Sequence, residues 1–202
     1  MKAIQITAFG GPDVMKYVDL ADPVAGTDEV VLDVTAVGIN YADTHQTENS
    51  YLSPQTLPMI PCIEVVGTYA GKRDLASVSS GGYAQKAIAH TSVLFPIPDA
   101  VTDEQALCML VQGATAWHLL KTMGNLQKGQ SVVVHAAAGG VGTIAIQLAK
   151  MWGGKVIAVT SSSAKAALAK SLGADVTVDA KSADLSAALR EANGGHGVDL
   201  VL

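Results

Sequence analysis

The first half of the chain alternates apolar and polar residues. KAIQITAF (2–9), DEVVLDVTAVGI (28–39), EVVGTYA (64–70) and GYAQKAIAH (82–90) carry the period-2 pattern of half-buried strands. Gly10-Gly11-Pro12, Gly81-Gly82 and Pro96-Ile97-Pro98 mark the turns between them. After Pro98 the rhythm changes. Thr102-Asp103-Glu104-Gln105 has the hydroxyl cap and early acids of a helix start. The run from Ala106 to about Met123 is apolar nearly throughout. It predicts a buried helix, with Gly113 as a break or bend. Beyond it strands and helices alternate. SVVVHAA (131–137), KVIAVT (155–160), 176–179 and 198–202 predict strands; 142–152, 163–172 and 183–192 predict helices. The continuous apolar strand at 131–137 fits a parallel sheet covered on both faces. The expected organisation is a β-rich unit over 1–100 and an α/β unit over 101–202.

Composition narrows the function. The 202 residues include 13 Lys+Arg and 18 Asp+Glu, a net charge of −5, which gives no support to nucleic-acid binding. With 49% hydrophobic and 15% charged residues the chain can fill a core and is not disordered. The N-terminus has no apolar core of signal-peptide length, and every long apolar stretch is broken, so no membrane span is expected. Two cysteines, Cys62 and Cys108, fit a reducing, cytoplasmic setting and exclude a four-cysteine zinc site.

The most informative segment is His135-Ala136-Ala137-Ala138-Gly139-Gly140-Val141-Gly142. It lies between an apolar strand and a helix, the setting of a dinucleotide-binding turn. Gly139 and Gly140 would let backbone approach a pyrophosphate, Gly142 would let the helix pack on the strand, and the helix N-terminus would face the phosphates. Ala137 stands where the first glycine of the usual pattern would be. An NAD site tends to place Asp or Glu at the end of the second strand. Here that place carries Thr160-Ser161-Ser162-Ser163-Ala164-Lys165, with no acid before Asp175. Hydroxyls and a cation suit a 2′-phosphate, so the expected cofactor is NADP(H). Ser163 as a helix cap and Lys165 as a solvated side chain is the plainer alternative.

GINYADTHQ, IEVVG, SGGYAQKAIA, VQGATAWHLL, AAAGGVG and SLGAD, in this order, resemble the medium-chain dehydrogenase/reductases. Within that superfamily they are most similar to the zinc-free NADPH:quinone oxidoreductases, the zeta-crystallin-like branch. The resemblance spans essentially the whole chain. It implies a GroES-like β domain for the substrate and a Rossmann domain, a doubly wound parallel sheet, for NADPH. Zinc-dependent relatives place ligands where this chain has Asn40, Ile63 and Gln112, and an isoleucine cannot ligate zinc. No metal is expected. The resemblance further implies Asn40, Tyr41 and Tyr51 at the catalytic cleft. Asn40 and Thr115 would lie near the nicotinamide, Ala138, Gly139, Gly140, Val141 and Gly142 at the pyrophosphate, and Thr160, Ser161 and Lys165 at the adenosine phosphate.

The implied reaction is hydride transfer to a quinone or similar conjugated carbonyl. An enoyl-thioester or alkenal reductase is a close alternative, and a non-catalytic NADPH-binding protein a more distant one. Relatives have a Gly where Cys62 stands, a longer passage after Gly67, and in some cases a Tyr near Ala180. They also continue beyond GVDLVL, so the expectation is a partial Rossmann domain in a C-terminally truncated chain. The late strand through which relatives form homodimers would then be absent.

Overall fold

The computed structural model describes residues 1–202, which form two compact units, Met1–Val111 and Gln112–Leu202. In the first unit β1 (Lys2–Gln5) pairs antiparallel with β2 (Lys16–Asp19). A five-stranded sheet is built from β3 (Glu29–Val37), β4 (Glu64–Tyr69), β5 (Lys72–Ser77), β6 (Lys86–His90) and β7 (Leu94–Pro96), in the order β6-β3-β4-β5-β7. Every pairing in it is antiparallel. Alternation places Val30, Leu32, Val65, Ala76, Ala87 and Ala89 in one core. Val66 and Leu75, on the opposite face, bury against Ala106 and Leu107 of helix α2 (Asp103–Cys108). Helix α1 (Tyr41–Glu48) follows β3.

The strand β5 was not foreseen, because KRDLAS begins with three charged residues. Its partner β4 leads into it through Ala70 and Gly71, both at positive φ (49° and 75°). Two consecutive left-handed residues are what a tight hairpin requires, but alanine there hides the signal that Asn-Gly would give. A bulge between Val34 and Ala36 interrupts the pairing of β3 with β4. At that bulge Thr35 Oγ1 donates to Asp103 Oδ2, while Arg73 Nη1 donates to Asp103 Oδ1 at 2.9 Å.

The buried helix expected over 102–123 forms, but it is neither fully buried nor broken at Gly113. Thr102 caps it in a reciprocal box with Gln105. The winding widens to π over Met109–Gly113, returns to α in α3 (Ala114–Trp117), and widens again over His118–Met123. In the second unit Ala116 and Leu120 are buried, whereas Trp117 and Met123 are exposed. Apolar residues on every face of a helix overstate its burial when only one face finds a core.

The rest of the second unit is a parallel sheet, ordered β10 (Val176–Asp179), β9 (Lys155–Thr160), β8 (Ser131–Val134), β11 (Leu200–Val201). Helices α4 (Gly140–Met151), α5 (Ser163–Ser171) and α6 (Leu185–Ala192) connect the strands. Val132, Val134, Val156 and Ala158 pack with Ala145, Ile146 and Ala149 of α4. Val133, Ile157 and Val159 point the other way and pack with Leu185 and Leu189 of α6. That two-sided burial is why these strands read as unbroken apolar runs. No helix is long and apolar enough to cross a membrane.

Candidate functional site

The glycine-rich turn lies between β8 and α4. Ala136 sits at φ +45°, and its carbonyl accepts from Gly139 N–H at 2.7 Å. A Cβ on Gly142 would lie 2.6 Å from Ala136 O and 2.7 Å from Ala137 Cα, both backbone atoms, so only glycine lets α4 start so close to the turn. Gly140 also stands close to a neighbouring side chain. Its missing Cβ leaves room for the amide of Gln112, which would come within 2.5 Å of that atom. Gly139 is the N-cap of α4, and the first N–H groups of the helix face outward from there.

At the end of β9 the chain turns through Ser161 into α5. The cap of α5 is Ser162, whose Oγ accepts from Lys165 N–H at 3.4 Å, and not Ser163. That cap places Lys165 one turn into the helix, with Nζ 3.4 Å from Ser161 Oγ. The two segments enclose a cavity of about 340 Å³. It is lined by Ala138 and Gly139 from the turn, Thr160, Ser161 and Lys165 from the second strand and helix, and Ala180 after β10. No carboxylate lines it; Asp179, the neighbour of Ala180, lines a separate cavity with Ser162 and Thr177. A helix N-terminus on one side and an ammonium with a hydroxyl on the other suit an elongated ligand with two anionic groups. Val141 and Gly142 fall inside the first turn of α4, and Thr115 lies in α3, away from the lining of this cavity.

His135 and Ala136 also line the cavity and were not singled out from the sequence as binding residues. A strand that ends in a turn must expose its last side chains, but the sequence does not say which of them face the hollow.

In the first unit Asn40 is the N-cap of α1 and is 8% exposed. Its backbone N–H donates to Asp43 Oδ2 at 2.8 Å, and its Nδ2 donates to Glu64 Oε1 at 2.6 Å. Glu64 Oε2 accepts from Val111 N–H at 3.0 Å, in the π-wound turn. Burial pushes the Glu64 carboxyl above its usual range, with the two hydrogen bonds opposing and the Asp43 charge adding to the rise. Tyr83 donates its hydroxyl to Asp43 Oδ2 at 2.7 Å, and burial followed by that bond raises its pKa. This buried polar network was not read from the sequence, because its members lie 3 to 47 positions apart. Tyr41, by contrast, is 80% exposed and stands edge-on to His45, and Tyr51 lies half-exposed in the loop after α1. Ile63 precedes Glu64 and offers no donor; no group of three His, Cys, Asp or Glu side chains could hold a metal ion.

Two family models match: the alcohol dehydrogenase GroES-like domain over residues 26–73, and the zinc-binding dehydrogenase domain over 140–202. The chain is 33% identical to a quinone oxidoreductase of Pseudomonas aeruginosa over 88% of its own length and 58% of that protein's. A crystal structure of a probable oxidoreductase from Mycobacterium abscessus superposes with a TM-score of 0.91 at 36% identity, covering 100% of this chain and 68% of that one. The quinone oxidoreductase from Thermus thermophilus, whose structures include a complex with NADPH, gives 0.90 at 37% identity over 100% and 65%. The chain thus spans roughly three-fifths to two-thirds of the length of these relatives. With a GroES-like sheet in one unit, a glycine-turned parallel sheet in the other, and relatives above 30% identity across both, the chain belongs to the quinone oxidoreductase family of the medium-chain dehydrogenase/reductases.

Proposed function

We propose that the chain binds NADP(H) through its second unit and acts as an NADPH-dependent oxidoreductase. On this reading a hydride passes to a quinone or similar conjugated carbonyl without zinc. The observation that carries the proposal is the cavity that joins the glycine turn to Ser161 and Lys165 and holds no carboxylate. The free N–H groups at the start of α4 would hold the diphosphate, and Lys165 with Ser161 the 2′-phosphate. A carboxylate in that place would repel the phosphate and would instead bind the hydroxyls of NADH. Thr115 and Asn40 are the groups assigned to the nicotinamide end.

When bound, NADPH supplies the hydride. Quinones are ready two-electron acceptors, so the protein's part is to hold the acceptor in place and keep water out. Asn40, Tyr41 and Tyr51 are the residues assigned to that task. A resident zinc does not fit the side chains present. The three relevant positions hold a hydrocarbon and two neutral amides; Asn40 is bonded to Glu64, and Gln112 packs on Gly140.

The test is oxidation of NADPH followed at 340 nm with 1,4-benzoquinone and, separately, with a 2-enoyl thioester, beside thermal shifts with NADPH and NADH. Turnover with the quinone and a larger shift with NADPH are expected. Reduction of the thioester alone would reassign the acceptor. Binding without turnover would leave a nucleotide-binding protein, and no shift in millimolar NADPH would remove the proposal.

A further inference from the structure

Glu64 is an acid in an expensive place. It is 1% exposed, and it forms no ion pair. Its compensation is two hydrogen bonds, from Asn40 Nδ2 at 2.6 Å and from Val111 N–H at 3.0 Å. The chain also makes room for it: a Cβ on Gly38, just after β3, would overlap Glu64 Oε1. A buried carboxylate with no counter-ion costs stability, and a glutamine of the same size would avoid most of that cost.

The two bonds explain why a carboxylate stands there. Both partners are donors, so both oxygens must accept, which a glutamine cannot do. With a carboxylate, the side-chain amide of Asn40 has one orientation, Nδ2 toward Glu64. We infer that Glu64 is the positioning residue of the site: its carboxylate fixes the amide orientation of Asn40 while its second oxygen ties that arrangement to the π-wound turn at Val111. This rests on the reading that Asn40 faces the reacting groups. Glu64 itself, enclosed by Gly38, Asn40 and Val111, acts only through Asn40.

Glu64→Gln separates positioning from support. The glutamine oxygen can still accept from Val111 N–H, so the tie to the helix survives. Its NH2 then meets Asn40, whose amide must turn over to present Oδ1. The expected result is a thermal midpoint and an NADPH affinity close to wild type, with kcat for benzoquinone down by about tenfold or more. A wild-type kcat in this variant would overturn the inference. So would parallel losses of stability, NADPH affinity and turnover, which would mark Glu64 as a structural tie only.

A second measurement needs neither turnover nor a variant. In wild-type protein, a through-hydrogen-bond NMR correlation between Asn40 Nδ2 and the Glu64 carboxyl carbon is expected, and its absence would overturn the pairing. If the wild type reduces no quinone, the proposed function fails while this correlation still decides the pairing. If Glu64→Gln does not fold, the correlation decides alone.

Discussion

Lys165 and Ser161 meet only because Ser162 caps α5 and brings the lysine back over the end of β9. If they hold a 2′-phosphate, Lys165→Ala removes a charge-assisted hydrogen bond of about 1.5–3 kcal/mol, so the Kd for NADPH should rise about tenfold to a hundredfold. The Kd for NADH should not move, and fluorescence titration with both nucleotides checks the difference. The cysteines divide just as sharply. Cys62 is fully buried, and burial, with smaller contributions from the Asp43 and Glu64 charges, pushes its thiol up to about 12. Cys108 is exposed. At pH 8 a disulfide reagent should therefore titrate one thiol in the native protein and a second only after unfolding. Cys62 sits at a positive φ of 81°, a conformation that glycine adopts more readily than cysteine.

Among the elements, α4 depends on a close approach of backbone to backbone at Gly142. Gly142→Ala would drive a methyl into the backbone of Ala136 and Ala137, which cannot rotate away as a side chain could. A loss of about 1–3 kcal/mol in urea unfolding is expected, together with weaker NADPH binding, because the same shift moves the first N–H groups of α4. The link between α4, β9 and the residue that precedes β10 is electrostatic. Asp175 accepts from Lys150 Nζ at 2.8 and 2.9 Å and from Val156 N–H at 2.7 Å. Desolvation opposes its ionisation, but the Lys150 and Val156 bonds prevail and hold the carboxyl below the usual range. A depressed carboxylate contributes stability above its unfolded pKa, and that contribution is lost as pH falls through the folded value. Wild type should therefore lose stability on acidification below about pH 4. Asp175→Asn should have a lower melting midpoint at pH 7 and a shallower acid slope, as thermal scans from pH 7 to pH 2 would show.

At the scale of the whole molecule, the division into units predicts where a ligand acts. Amide exchange in saturating NADPH should slow around 137–143 and 160–166, leaving the antiparallel sheet of the first unit little changed. At about a hundred times Kd, binding adds about 2.7 kcal/mol to whatever unfolds with the site. Protection spread evenly over both sheets would argue for a different seat for the nucleotide.

The sequence by itself determined the α/β order, the glycine turn, the cap at Thr102 and the missing carboxylate after β9. Each of these is a local matter of period, capping or backbone freedom, written within about ten residues. Tertiary structure decided the rest. It chose which face of the 103–123 helix is covered, made a strand of KRDLAS by pairing it through a left-handed Ala70-Gly71 turn, and gave the space beside Gly140 to Gln112. It also gathered Gly38, Asn40, Glu64 and Val111 around one buried carboxylate. Such a group exists only where distant segments exclude water together, and no window along the chain carries that information.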